Sequence, residues 1–400
     1  MKILSLTAAA AVALALGFGP TAAQDKKYGP GVTDTEIKLG QTVPLSGPAS
    51  AYSGWGKAQG AYFAKINADG GINGRKINLI SLDDGYSPPK TVEQTRKLVE
   101  QDRVLAIFGS LGTAHMAAVK KYLADRGVPQ LFVGIGANIW GTPVDFKSAT
   151  MWAPEHQTES AAYARFILQT NPNAKIAVLA QNDDFGRNMM KGLKDALRDK
   201  ASMIVAEATY EVADPTVDSQ IIALKASGAD TLVSLAAPKW AAQAMRKAYD
   251  IGWKPQQFVF SFSTSVENVL KPAGLEKVVG LMSATYLKDP TNPAMKDDPG
   301  VVAYLAWAKQ YLPGGDPADP LVIQGYSSAE LMAAVIRQAG NDLTRENLVK
   351  QAKNIKDLQL SMLLDGIKVN TTPFAPSGIG SLRLQRFDGT QWAVIDGTGQ

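Results

Sequence analysis

The chain has 400 residues, of which 46% are hydrophobic, 20% charged and 8% aromatic; this is the composition of a folded globular protein of two to three domains at roughly 150 residues each, not of a disordered or coiled-coil chain. A formal charge of +4 without a local run of Lys and Arg excludes a nucleic-acid footprint. The absence of cysteine excludes thiol catalysis, thiolate metal sites, disulfides and lipid attachment through Cys.

Residues 1–23 read as a secretory signal. Lys2 is the positive end, Ile3 to Phe18 an apolar stretch, and Thr21-Ala22-Ala23 a small-residue cleavage site before Gln24. The apolar run is shorter than the ~20 residues that span a bilayer and ends at Gly17, Gly19 and Pro20. The expectation is a soluble exported protein without a lipid anchor, mature from near Gln24.

From Glu36 the chain alternates apolar runs with amphipathic stretches. Strands are predicted at Ile37 to Val43, Ile77 to Leu82, Leu105 to Phe108 and Gln130 to Val133. Between them lie helical patterns marked by Ala58, Tyr62 and Ile66, by Val92 and Val99 behind Pro88 and Pro89, and by Met116, Val119 and Leu123. The rhythm restarts after Gln157, with strands at Ile176 to Leu179, Met203 to Ala206, Thr231 to Leu235 and Phe258 to Phe260. Helices there are marked by Met190, Leu193 and Leu197, by Ile221 and Leu224, and by Ala241, Ala244 and Ala248. A Pro-, Asp- and Asn-rich loop follows at 289–300, then helices over Val301 to Tyr311 and Gly325 to Ala339, and a β-rich end from Ser381 to Ile395. Such alternation predicts an α/β fold with parallel-sheet cores, and two successive units predict two lobes facing a cleft beyond the strand ends.

Gly134-Ile-Gly136 follows a strand but lacks the third glycine of a dinucleotide turn, because Ile139 stands there. Asp83-Asp84 and Asp183-Asp184 could supply the acids of a secreted hydrolase or a hard-metal site. They also fit turns and helix caps, and this is the preferred assignment. His115 and His156 lack the partners of a zinc site, and no G-x-S-x-G elbow is present. No cofactor or metal is expected. The informative cluster is Gly109-Ser110-Leu111-Gly112-Thr113, a strand-to-helix turn whose N–H groups and Thr113 hydroxyl form a carboxylate cradle. Pro44 to Pro48 with Tyr52 and Trp55 adds a second turn and two aromatics suited to an apolar ligand body.

Taken together and in order, Leu45-Ser-Gly-Pro48, Asp69-Gly-Gly-Ile-Asn-Gly-Arg75, Phe108 to Thr113, Gly127-Val-Pro129 and Asn182-Asp-Asp-Phe-Gly186 resemble the periplasmic solute-binding proteins of ABC importers, branched-chain amino acid type. The resemblance covers essentially the whole mature chain. It implies the type 1 periplasmic binding fold: two Rossmann-like lobes joined by a three-crossover hinge, lobe one at about 28–152 plus 286–362 and lobe two at 153–285 plus 363–400. It further implies a non-enzymatic, periplasmic monomer that holds a small ligand between its lobes and delivers it to an inner-membrane permease. Thr113 falls on the family's carboxylate-binding hydroxyl, with Leu111 and Gly112 beside it. Tyr52 and Phe185 fall on aromatic lining positions, and Gly134, Ile135 and Gly136 on the second cradle, where Gly136 offers no hydroxyl. In lobe two, Phe262 stands near the position of the usual acidic partner of an α-ammonium, and Pro238 and Lys239 near an aromatic one. These departures look more like relatives that carry aromatic acids such as hydroxycinnamates or benzoates; an amino acid ligand, or a sensor role for the same fold, are the alternatives.

Overall fold

The computed structural model describes residues 26–137, 139 and 147–395, so the expected signal at 1–23 lies outside the described residues. After a short β1 (Lys27–Tyr28), the chain runs β2 (Glu36–Val43), α1 (Ser53–Ala68), β3 (Lys76–Asp83), α2 (Pro88–Glu100), β4 (Ala106–Phe108), α3 (Thr113–Asp125), β5 (Gln130–Val133) and β6 (Ala149–Met151). Its strands pair in the order β3-β2-β4-β5-β6, all parallel. Ala106 to Phe108 and Gln130 to Val133 are buried throughout, as strands covered on both faces must be.

The second unit comprises α4 (His156–Thr170), β7 (Ile176–Gln181), α5 (Asp184–Leu197), β8 (Ile204–Tyr210), α6 (Asp218–Ala226), β9 (Thr231–Leu235), α7 (Pro238–Asp250), β10 (Gln256–Val259), a short α8 (Lys271–Ala273) and β11 (Met282–Thr285). The chain then returns to the first unit with α9 (Pro299–Tyr311), α10 (Pro320–Ala339), β12 (Asp342–Leu343), which pairs with β1, and α11 (Arg345–Ala352). It ends in the second unit as β13 (Arg383–Phe387) and β14 (Trp392–Ile395). The second sheet has the order β14-β13-β11-β10-β9-β7-β8, parallel except where β13 runs against β11 and β14.

Helix starts follow local chemistry. Pro88, Pro238, Pro299 and Pro320 occupy first turns, and Asp183, Asp298 and Asp319 accept hydrogen bonds from the N–H groups that would otherwise be unsatisfied. Four strands escape the sequence pattern, β1, β6, β11 and β12, each too short to show a period. The Phe258 to Phe260 run is strand only to Val259, and Phe260 opens a turn. The chain passes between the sheets after Met151, after Thr285 and again before Arg383. Ser377 still bridges Met151 of the first sheet, so the last passage lies beyond the 362/363 boundary expected from the sequence.

Candidate functional site

The first lobe presents the ends of β2, β3, β4 and β5 to the cleft. After β2, the turn at Leu45 and Ser46 is tied to Asp83, whose Oδ1 accepts from both their N–H groups and from Gly85, and whose Oδ2 accepts from Ser46 Oγ at 2.5 Å. Burial pushes the Asp83 carboxyl up, but these hydrogen bonds outweigh it and hold the group at about 2. Asp83 is thus a turn residue. Tyr52 follows on a single helical turn, its ring centroid 5.7 Å from that of Tyr86. Between β4 and α3, Gly112 has φ +112°, and a Cβ there would lie 2.3 Å from His115 Nδ1, so both backbone and space demand glycine. α3 then begins at Thr113 with no side-chain cap, leaving its first N–H groups without intrahelical acceptors. Gly134 is held against this turn through its N–H to Ser110 O at 2.7 Å.

The second lobe answers with rings. Asp183 caps α5 through Phe185 N and Gly186 N, which sets Phe185 at the cleft, and its other oxygen accepts from Gln181 Nε2 at 2.7 Å. The turn after β10 carries Phe260 and Phe262 and is fastened by the buried Glu159, which accepts from Ser261 N at 2.8 Å, Ser261 Oγ at 2.7 Å and Tyr163 OH at 2.6 Å. Burial pushes the Glu159 carboxyl up to about 7, against the opposing pull of these hydrogen bonds. Phe185 and Phe260 are 4.7 Å apart, and Phe260 and Phe262 stack at 5.1 Å. His156 meets Phe185 and Phe260 edge to face at 5.1 and 5.5 Å; burial holds its imidazole down to about 3, so it is neutral.

These two surfaces are closed on each other. Trp55 of the first lobe stacks on Phe262 of the second at 6.4 Å, and Asn268 Nδ2 donates to Asp319 Oδ2 at 2.7 Å from one lobe to the other. The space left between them is about 20 Å³, bounded by Tyr52, Tyr86, Leu111, Gly112, Thr113 and Gly134 on one side and by His156, Phe185, Phe260 and Phe262 on the other. That is room for about one water molecule, so a larger ligand enters only with the lobes apart or the rings displaced. No carboxylate is among these walls.

The structure thus brings together Tyr52, Leu111, Gly112, Thr113, Gly134, Phe185 and Phe262 of the residues expected from the sequence. The others do not line this cavity. Trp55 is fully buried against Phe262 between the lobes, with its Nε1 donating to Gly109 O at 2.5 Å. Ile135 points the other way, into the core with Met116, Val119 and Val133. Gly136 backs His156 and does not reach the cavity. Pro238 is the buried first residue of α7, and Lys239 lies over the Trp240 ring at 4.9 Å; neither lines the cavity. Sequence reading missed Tyr86, His156 and Phe260. The apolar run Phe258 to Phe260 reads as strand to its end, His156 carries no local motif beyond an unpartnered imidazole, and the turn beginning at Asp84-Gly85 is the one signal for Tyr86.

A larger cavity of about 190 Å³ lies at the lobe crossings, reached by Ser261 and Thr264 on the far side of the Phe262 turn and by Tyr286, Ile323 and Gln324. Its buried amide is paired: Gln324 Oε1 accepts from Tyr286 OH at 2.6 Å and from Trp152 Nε1 at 3.3 Å. Among the described residues, no buried side-chain atom lacking a partner belongs to its walls, whereas His156, whose Nδ1 lacks one, lines the smaller cavity.

A sequence profile for the family described as periplasmic binding protein matches residues 36–377. The chain belongs to the periplasmic binding protein family. The Leu/Ile/Val-binding protein homolog 7 of Brucella abortus (strain 2308) is 25% identical over 346 residues, 81% of this chain and 82% of its own. A branched chain amino acid ABC transporter structure from Thermus thermophilus, solved with bound valine, superposes with a TM-score of 0.81 at 16% identity, covering 91% of this chain and 96% of that one. The fatty acid ABC transporter substrate-binding protein from Thermomonospora curvata gives 0.80 at 22%, covering 94% and 95%. The α/β architecture with parallel-sheet cores is the type 1 periplasmic binding fold of these neighbours.

Proposed function

We propose that the protein is the non-enzymatic substrate-binding component of an ABC importer, exported to the periplasm as a monomer, which closes on one small carboxylate with a flat apolar body and hands it to an inner-membrane permease. The observation that carries this reading is the composition of the cleft. The uncapped start of α3 with Thr113 supplies donors for a carboxylate, and Tyr52, Phe185, Phe260 and Phe262 supply apolar surface. Aromatic acids such as a benzoate or a hydroxycinnamate have this shape. A ligand that touches both lobes only when they are closed shifts the hinge equilibrium by that difference in affinity.

An α-amino acid would need an acceptor for its ammonium, since an unpaired buried charge is severely penalised. Three carboxylates on the adjoining segments are engaged elsewhere: Asp183 caps α5, Glu159 holds Ser261, and Asp84 accepts from Tyr86 N and Thr91 Oγ. Glu155, next to His156 but not among the cavity walls, is the acid an ammonium would have to reach. A branched-chain amino acid is nevertheless the second reading, favoured by the name of the Brucella relative and by the valine in the Thermus neighbour. Competition calorimetry with benzoate, 4-hydroxycinnamate, leucine and valine separates the two. The expected result is an aromatic acid at least tenfold tighter than leucine, about 1.4 kcal/mol; micromolar leucine with silent aromatic acids overturns it. Thr113→Val, which keeps shape and deletes the hydroxyl, should weaken the bound acid by about 1.5 to 3 kcal/mol. An unchanged Kd removes Thr113 from the site.

A further inference from the structure

His156 is fixed at the lobe junction in a way that decides which of its nitrogens carries the proton. The Gly136 N–H donates to its Nε2 at 3.0 Å, and Gly136 O accepts from the His156 backbone N–H at 2.7 Å, so ring and backbone are clamped to the same residue. Only glycine permits this: a Cβ at position 136 would lie 2.4 Å from His156 Cδ2 and 2.4 Å from Pro154 O. A neutral imidazole that accepts at Nε2 carries its proton at Nδ1. Among the described residues that Nδ1 has no hydrogen-bond partner, although His156 is only 3% exposed and forms part of the cleft wall. The rings packed on it, Phe185 and Phe260, have no side-chain acceptor atom. A buried donor left unmatched is unfavourable, and such groups call for a partner that completes them.

We infer that the Nδ1–H of His156 is a recognition donor, contributed by the second lobe, which donates to an oxygen of the molecule held in the cleft. This rests on the cleft being the binding site, and it adds a residue that selects for ligand chemistry. The proton cannot move to Nε2 without setting two donors, Nε2–H and Gly136 N–H, against each other. An ammonium placed at His156 therefore meets a fixed donor, whereas a carboxylate, carbonyl or hydroxyl oxygen meets its complement. The selection is made by backbone geometry, so it holds across the pH range in which the imidazole stays neutral.

The test uses the same four probes, benzoate, 4-hydroxycinnamate, leucine and valine, on the parent protein and on two variants. His156→Gln can keep the bond from Gly136 N–H through its amide oxygen but has no donor where Nδ1 stood; His156→Asn places its Nδ2 near Nδ1 and keeps the donor. The probe that binds the parent most tightly should weaken by about tenfold or more in His156→Gln and be largely recovered in His156→Asn. Nitrogen-15 NMR of the imidazoles, simplified by there being only two histidines, needs no variant to fold. It should show His156 protonated at Nδ1 in the free protein, and a shift of that proton when the probe is added. A ring protonated at Nε2 overturns the assignment. So does a probe that binds the parent and His156→Gln equally without moving the Nδ1 proton, an outcome that leaves the cleft reading standing. Binding of none of the four probes fails the cleft reading, and the role of His156 with it.

Discussion

Replacing Glu159 with Gln should make the protein relatively more stable as the pH rises. Glu159 is fully buried, and burial raises its carboxyl from about 4.5 to about 7 despite three hydrogen bonds to it. A protonated carboxyl also fits the site: the 2.7 Å contact in which Oε2 accepts from Ser261 Oγ would reverse, with the carboxyl donating, while Oε1 still accepts from Ser261 N and Tyr163 OH. A glutamine amide presents the same pattern without a charge. For a buried acid with a raised value, the stabilisation is complete below the unfolded value and is lost as the pH rises through the folded one. At about 1.4 kcal/mol per pH unit, the wild-type chain loses about 2 to 3 kcal/mol from this one group between pH 5 and pH 8. The variant loses none of it. Equilibrium urea unfolding of both proteins at pH 5, 6, 7 and 8 isolates this contribution, because the other titrating groups cancel in the difference. A difference that stays constant with pH to within about 0.5 kcal/mol would mean an ordinary, ionised carboxyl, and the account of the Ser261 turn would fall.

Three other outcomes follow from the geometry. Asn268→Ala removes the hydrogen bond to Asp319 that spans the lobes, which should weaken the closed state by about 1 to 2 kcal/mol; solution scattering should then show a larger ligand-free particle, and an identical profile would deny that the bond holds the lobes together. Gly136→Ala puts a Cβ 2.4 Å from both His156 Cδ2 and Pro154 O and should destabilise by about 1 to 3 kcal/mol; an unchanged melting temperature would contradict that packing. Saturating benzoate or leucine, whichever binds, should raise the melting temperature more in the parent than in Asn268→Ala, since only closure engages both lobes.

The strand and helix rhythm was legible because continuous apolar runs such as Ile176 to Leu179 and Thr231 to Leu235 have few ways to be buried other than inside a parallel sheet. Gly109 to Thr113 was legible too, since a strand, a glycine turn and a helix start form within a few residues and depend little on the rest of the chain. The sequence points to Phe185 only through the family resemblance carried by Asn182 to Gly186, where Asp183 caps α5. It could not tell which neighbour of a glycine turn faces the cleft: Gly134 lines the cavity while Ile135, one residue on, belongs to the opposite core. Nor could it join residues on separate elements. Tyr86, His156 and Phe260 reach the cavity from the end of β3, the first lobe crossing and the turn after β10, and Glu159, on α4, fastens a turn whose Ser261 lies far away in sequence. Local turns are decided by short-range backbone preference, which a sequence displays. The lining of a cleft is decided by how two sheets meet, which depends on the packing of the whole chain, and that only the tertiary structure reveals.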